Sequence, residues 1–346
     1  MAKNIYDLFN ERKYGVDYLV EGYEYDENSV EAYESLEASI EAIEAITQES
    51  MNETIELQSA FYLENLVIEN MMFNDFNEEK LQSVMEGSVR DKIQAAKDKV
   101  QHWWKKMKEW FVGTFKAIAN HFKSGETLVR QNGKKIDEGM RRSNLKVKMN
   151  KYRNLDAAMD AVNKMIEDLK VDSITDAKKE DAREEILGAV GADDRKDVAE
   201  VVKKLFIEEE NEEQAISSIP VDVAKNYAGN KSKIIDKLKK QQKSVDDAFR
   251  KTLQGFQELE RTTSGETNEL AGRLLANFNF ALGIKNTILS TQMAIVKKAC
   301  NDYTVVIRRA LNAPANKRAD KKALKDKSLE AFIPNFDGEE LDFYED

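Results

Sequence analysis

Residues 88–123 read SVRDKIQAAKDKVQHWWKKMKEWFVGTFKAIANHFK, and this stretch decides the fold. Val89, Ile93, Ala96, Val100, Trp103, Met107 and Trp110 recur at alternating steps of 4 and 3, the spacing of a helix that packs along a seam. After one inserted residue the apolar positions resume as Phe111, Phe115, Ile118 and Phe122. Lys92, Lys97, Lys99, Lys105, Lys106, Lys108, Lys116 and Lys123 lie mostly off that line. All three tryptophans of the chain, Trp103, Trp104 and Trp110, fall within eight residues. A basic amphipathic helix with an aromatic face has two physical uses. It can bury its seam in a helical bundle while its lysines snorkel to water, or it can lie in a membrane interface. The regularity of the seam favours the bundle. Trp103, Trp104, Met107, Trp110, Phe111 and Phe115 are the candidate interaction residues of this stretch.

The rest of the chain agrees with helix. It has 346 residues, 34% of them charged, with only 3 prolines and 15 glycines. A sandwich or barrel marks a turn every 8–12 residues, usually with Gly or Pro, and those markers are mostly missing. No run of about 18 uncharged apolar residues provides a membrane span. One cysteine, Cys300, excludes an intramolecular disulfide, which fits a reducing or redox-indifferent setting. The opening residues lack the apolar core of a signal peptide, so manufacture and use without Sec export are expected.

Charge alternates in blocks. Residues 1–87 hold 21 acids against 4 bases, 88–154 hold 18 bases against 6 acids, and 155–217 hold 19 acids against 9 bases. Residues 218–333 hold 22 bases against 12 acids, and 334–346 hold 6 acids and no base. Such asymmetry bears on steering, association and partners. Residues 1–28 read as an aromatic arm with Tyr6, Tyr14, Tyr18, Tyr23 and Tyr25. Residues 29–73 read as a long helix with Leu36, Ile40, Ile43 and Ile46 on one face. Its opposite face carries Glu34, Glu37, Glu41 and Glu44, like charges at a spacing that weakens an isolated helix and that the basic 88–154 block is placed to relieve. A short helix is expected at 78–86, and a solvated basic helix face, turned to the acidic N-terminal block, within 124–155. Residues 156–217 read as a smaller helical insertion whose run Glu208-Glu209-Glu210-Asn211-Glu212-Glu213 is an acidic loop or helix end. Residues 221–312 return to long helices. Only Arg273 and Lys285 are charged between Leu270 and Val296, so 270–310 is expected as a strut buried on most sides, with Cys300 a small core residue. Residues 313–346 form a basic linker and an acidic-aromatic docking tail with Phe332, Phe336, Phe343 and Tyr344.

Catalytic signatures are missing from this pattern. There is no phosphate-binding Gly-x-x-x-x-Gly-Lys-Ser/Thr, no Gly-x-Ser-x-Gly elbow and no His-Glu-x-x-His. His102 and His121 are the only histidines, which leaves little material for zinc. Neither has Glu three residues before it, as a di-metal bundle requires. No enzyme, cofactor or metal is expected.

In layout the chain resembles virion structural proteins of tailed bacteriophages of Gram-positive hosts, particularly those associated with the head. The likeness lies in an acidic helical opening with Phe61-Tyr62-Leu63-Glu64-Asn65, the Lys/Trp helix Trp103-Trp104-Lys105-Lys106-Met107-Lys108-Glu109-Trp110-Phe111, and a last long helix. That helix carries Lys297-Lys298-Ala299-Cys300 and ends Arg308-Arg309-Ala310-Leu311 before an acidic tail. The resemblance implies an assembly component of the phage particle, made in the host cytoplasm, whose partners are itself as a homo-oligomer and other virion proteins. It implies no catalytic residues. The expected architecture is all-α: an elongated bundle of about three long helices over 29–155 and 221–312, with the insertion at 156–217. The 88–123 seam, the 270–310 strut and 29–73 are expected to bury against one another. Two other functions stay open: a membrane-active protein, as pore former or ejected virion protein, making membrane contact through 88–123, and a nonspecific binder of packaged DNA.

Overall fold

In a computed structural model the described residues are 27–73, 78–169, 182–261 and 267–312. The aromatic arm before residue 27 and the tail with Phe332, Phe336, Phe343 and Tyr344 lie outside them. Helix accounts for 86% of the structure, and the fold is an elongated all-α one.

Four long helices form its frame: α1 (Glu27–Phe73), α2 (Glu78–His121), α8 (Lys231–Glu260) and α9 (Thr267–Leu311). The expected short helix at 78–86 is the first part of α2, because nothing in Gln82–Gly87 interrupts its backbone. Neighbours run antiparallel in the cyclic order α1, α2, α8, α9. The side-chain pairs show the directions: Glu53 with Lys99 and Ser39 with Thr114 join α1 to α2, and Lys97 with Glu260 joins α2 to α8. Gln241 with Gln292 joins α8 to α9, and Thr47 with Asn286 closes the ring from α1 to α9. The seam helix and the strut therefore stand at opposite corners and meet only across the diagonal. Seam, strut and 29–73 share one core as expected, but the frame has four long helices, within which the main neighbours of both α2 and α9 are α1 and α8.

At about 1.5 Å per residue, the 45 residues of α9 span about 67 Å. Its first two thirds complete the four-helix frame. Its last third, beyond the end of α2, carries α3 (Lys123–Arg142) and α7 (Val221–Gly229), while α4 (Leu155–Asp168), α5 (Ala182–Val190) and α6 (Val198–Phe206) lie along α8 and the middle of α9, where Arg183 of α5 sits over the Phe280 ring. Two glycines set how closely these approach. A Cβ on Gly125 would lie 1.9 Å from the Ala228 carbonyl oxygen on α7, and one on Gly139 would lie 2.2 Å from that of Ala310 on α9.

The structure adds two strands that helical reading missed. β1 (Lys146–Tyr152) falls where a basic helix face was expected, and β2 (Ile207–Ala215) is the acidic run. They pair antiparallel, with Lys146 opposite Ala215 and Lys148 opposite Glu213. The pairing slips beyond Met149, where Asn211 takes a positive φ of 50° and its N–H donates to Asn150 Oδ1; asparagine tolerates that conformation better than most residues. Lys146 pairs with Glu213, Lys151 with Glu208 and Glu209, and Lys203 of α6 with Glu210. Lys146 and Lys151 of β1 thus meet acids of the insertion rather than the N-terminal acids. The ribbon ties together the two ends of the excursion that holds α4, α5 and α6. That excursion leans on α9 through α6 and on α8 through α4, where Lys233 and Lys237 reach Asp156 and Asp160. A 3₁₀ turn at Arg195–Asp197 lays the Arg195 guanidinium over Gly283 of α9, with Nη2 2.9 Å from where a Cβ would stand.

Candidate functional site

The tryptophan helix lies inside the frame. Ile93, Ala96, Val100, Trp103, Met107, Trp110, Phe111, Ile118 and Phe122 are buried, and Val89 and Phe115 are half-buried against them. Full burial of an apolar side chain of this size contributes about 1.5–3 kcal/mol, so this row is the largest single cohesive element of α2. The seam shifts where Trp110 and Phe111 are both buried, their rings edge to face at 4.8 Å. From Trp103 onward the inward positions run 103, 107, 111, 115, 118 and 122. Successive steps of four let the seam follow a straighter helix than a strict heptad does.

Each indole N–H has its own acceptor. Trp103 Nε1 donates to Glu53 on α1 and Trp110 Nε1 to the Ser39 carbonyl on α1, both at 2.5 Å. Trp104 turns the other way. Its Nε1 donates to Asp246 of α8 at 2.5 Å and its ring stacks on Phe249 with centroids 6.1 Å apart, while Lys108 Nζ sits 3.6 Å over the outer face. The three tryptophans thereby fasten α2 to both of its neighbours. Glu49 and Glu53 take Lys106 and Lys99 of α2, and the hydrogen bond from Lys106 holds the Glu49 carboxyl below its ordinary value. Of the glutamate row expected to face this basic helix, Glu37 instead approaches Lys297 of α9 at 3.9 Å, and the Glu34 side chain lies outside the described ones. Burial, with Glu41 one turn away, pushes the Glu44 carboxyl up.

Two polar clusters on α9 went unnoticed in the sequence. In the first, Asp302 accepts from the Tyr152 hydroxyl at 2.5 Å and from the Asn150 backbone N–H, which binds β1 to α9. The Tyr303 ring lies 5.8 Å from both Tyr152 and Tyr227. Burial raises the Asp302 carboxyl, and burial beside Asp302 pushes the Tyr303 hydroxyl up to about 12 and the neighbouring Cys300 thiol well above its usual value. In the second, His121 at the end of α2 faces Lys297 and Asn301. Burial first, and the Lys297 charge second, lower the imidazole to about 4 against the opposing Asn301 hydrogen bond. The signal available in the sequence was polar residues at Lys297, Asn301 and Asp302, but α9 also buries Asn277, Asn279, Lys285, Asn286, Ser290 and Gln292, so these did not stand out and named no partner.

The void between Leu169, Phe249, Phe278 and Lys285 has room for about one water molecule. Among the described residues no group of three or more His, Cys, Asp or Glu is placed to hold a metal ion, and no helix is long and apolar enough to cross a membrane. Comparison with known protein families, with curated proteins and with solved structures finds no match.

Proposed function

We propose that the chain is a non-enzymatic structural protein, an assembly component of a phage particle associated with the head, acting by packing against copies of itself and against other particle proteins. The observation that carries this reading is the position of the tryptophan seam. The groups best suited to grip a ligand or a bilayer join α2 to α1 and α8, with every indole N–H satisfied inside the protein. The remaining chemistry-bearing groups likewise connect one element to another: Asp302 holds the ribbon, and Gln241 and Gln292 bond reciprocally between α8 and α9.

The alternating charge blocks pair largely within the chain, across α1–α2, α2–α8, α4–α8 and β1–β2. Salt therefore acts first on folding stability. Association is carried by exposed apolar positions of the frame, Ile55 on α1 (59% exposed) and Val112 on α2 (49% exposed). Light scattering at low and high salt, with negative-stain micrographs, tests the reading. A symmetric oligomer weakened by Ile55→Asp or Val112→Asp is expected; a monomer at both ionic strengths refutes it. Liposome co-sedimentation separates the membrane-active reading. Binding lost in the variant Trp103→Ala plus Trp110→Ala, with wild-type tryptophan emission shifted by lipid, would replace the structural role with an insertion that opens the frame.

A further inference from the structure

At the far end of α9 two helix C-termini lie side by side. The contact of Gly139 with the Ala310 carbonyl brings the last turn of α3, with Arg141 and Arg142, beside the last turn of α9, with Arg308 and Arg309. Arg309 Nη1 donates to the Lys146 carbonyl at 3.0 Å, which joins the start of β1 to the same corner. Lys146 and Lys148 extend from the solvent side of β1, while Val147 and Met149 point inward. Acids also reach this end: Glu138 is on the last turns of α3, and Glu213 pairs with Lys146 and stands opposite Lys148. Basic side chains at helix C-termini are expected from the macrodipole alone. That does not account for Lys148 or for Leu145, which stands 42% exposed between the end of α3 and the start of β1.

An exposed apolar side chain in a segment flanked by Arg141, Arg142, Lys146 and Lys148 is a surface for an acidic peptide with a hydrophobic residue. The chain carries one. Residues 337–346 read Asp-Gly-Glu-Glu-Leu-Asp-Phe-Tyr-Glu-Asp, with six acids, no base and the apolar Leu341, Phe343 and Tyr344. The segment outside the structure begins at residue 313, directly after α9, and so at this corner. The 24 residues between 312 and 337 reach at most about 80 Å, far more than the distance required. Attachment to the same chain makes the encounter intramolecular.

We propose that the basic end around Leu145 is the docking surface for the acidic-aromatic C-terminus of the same chain, residues 337–346. The docked segment covers Leu145 and neutralises Arg141, Lys148 and Arg308, and it withholds this surface from other polyanions. The proposal is independent of whether the protein belongs to a virion.

Carbodiimide cross-linking of the intact protein, followed by peptide mapping of the monomer band, tests it. Zero-length links from the acids of 337–346 to Lys146 or Lys148 are expected. The reversal Arg141→Glu with Arg308→Glu, at one exposed and one half-buried position, should cut their yield about five-fold, the scale of two surface charge contacts, while far-UV circular dichroism stays unchanged. Tail links confined to the lysines between 317 and 327, or formed only between chains in a mixture of isotopically light and heavy protein, overturn the proposal. So does a gel shift in which double-stranded DNA binds equally tightly to the intact chain and to one with its six tail acids amidated by substitution (Asp→Asn, Glu→Gln), since DNA would then be the occupant.

Discussion

Acidification should loosen the junction of α2 and α9 through His121. The imidazole is lowered from 6.5 to about 4 in the folded protein by burial and by Lys297, so the native state holds it neutral. Between those values the unfolded chain binds a proton that the folded chain does not, and stability falls as pH falls. The full contribution is present above pH 6.5 and is lost as pH drops towards 4. A shift of this size integrates to about 2 kcal/mol lost at pH 5 and about 3 kcal/mol at pH 4. The groups that face the site are Lys297 and Asn301 from α9, and Glu37 and Glu41 from α1, which favour the charged form of Lys297. Carboxylates titrate in the same range; Glu49, held low by Lys106, loses stabilisation as pH falls. The reading therefore is a difference between wild type and His121→Gln, in which those terms are common. Urea unfolding followed by circular dichroism at pH 7.5, 6.0 and 5.0 measures it. Wild type should lose about 2 kcal/mol more than the variant between pH 7.5 and 5.0. Parallel stability curves for the two proteins would refute the argument.

Gly139→Ala pushes a methyl to 2.2 Å from the Ala310 carbonyl and should destabilise by about 1–3 kcal/mol; Gly113→Ala, with open space at its Cβ position in α2, should stabilise by up to about 1 kcal/mol. Thermal melts of the pair show whether the close approach is real. Trp103→Ala removes a fully buried ring and its hydrogen bond to Glu53 and should cost about 3–5 kcal/mol, read as a lower urea midpoint. The Cys300 thiol, buried and pushed up, should resist alkylation at pH 8 until urea unfolds the chain; rapid labelling of the native protein would contradict the packing of α9.

The frame was legible where apolar spacing was regular. The 4-and-3 steps from Val89 to Trp110 identified both the helix and its buried face, and the near absence of charge from Leu270 to Val296 marked α9. What periodicity does not encode is which helices are neighbours. α2 and α9 are both apolar enough to pack on each other along their length, yet pairs of residues far apart in sequence, such as Lys97 with Glu260 and Thr47 with Asn286, make α8 and α1 their main neighbours in the frame and leave them meeting across the diagonal. In β1 the alternation of Lys146, Val147, Lys148 and Met149 was a readable strand signal. β2 had none: five glutamates disfavour a strand in isolation, and its conformation is set by Lys146, Lys151 and Lys203 across from it. The Asp302 and His121 clusters were hidden for the same reason, since each is built from residues that only the tertiary fold brings together.

The ribbon has an evolutionary consequence. Because Lys146 and Ala215 are paired neighbours, the polypeptide leaves the main body and returns to it at almost the same point. The links within a segment between such adjoining ends can be lengthened or trimmed without shifting the helices that flank it. α4 and α6, buried against α8 and α9, are held to the core, so variation among relatives of this protein should concentrate in the connections between the two strands rather than in those helices.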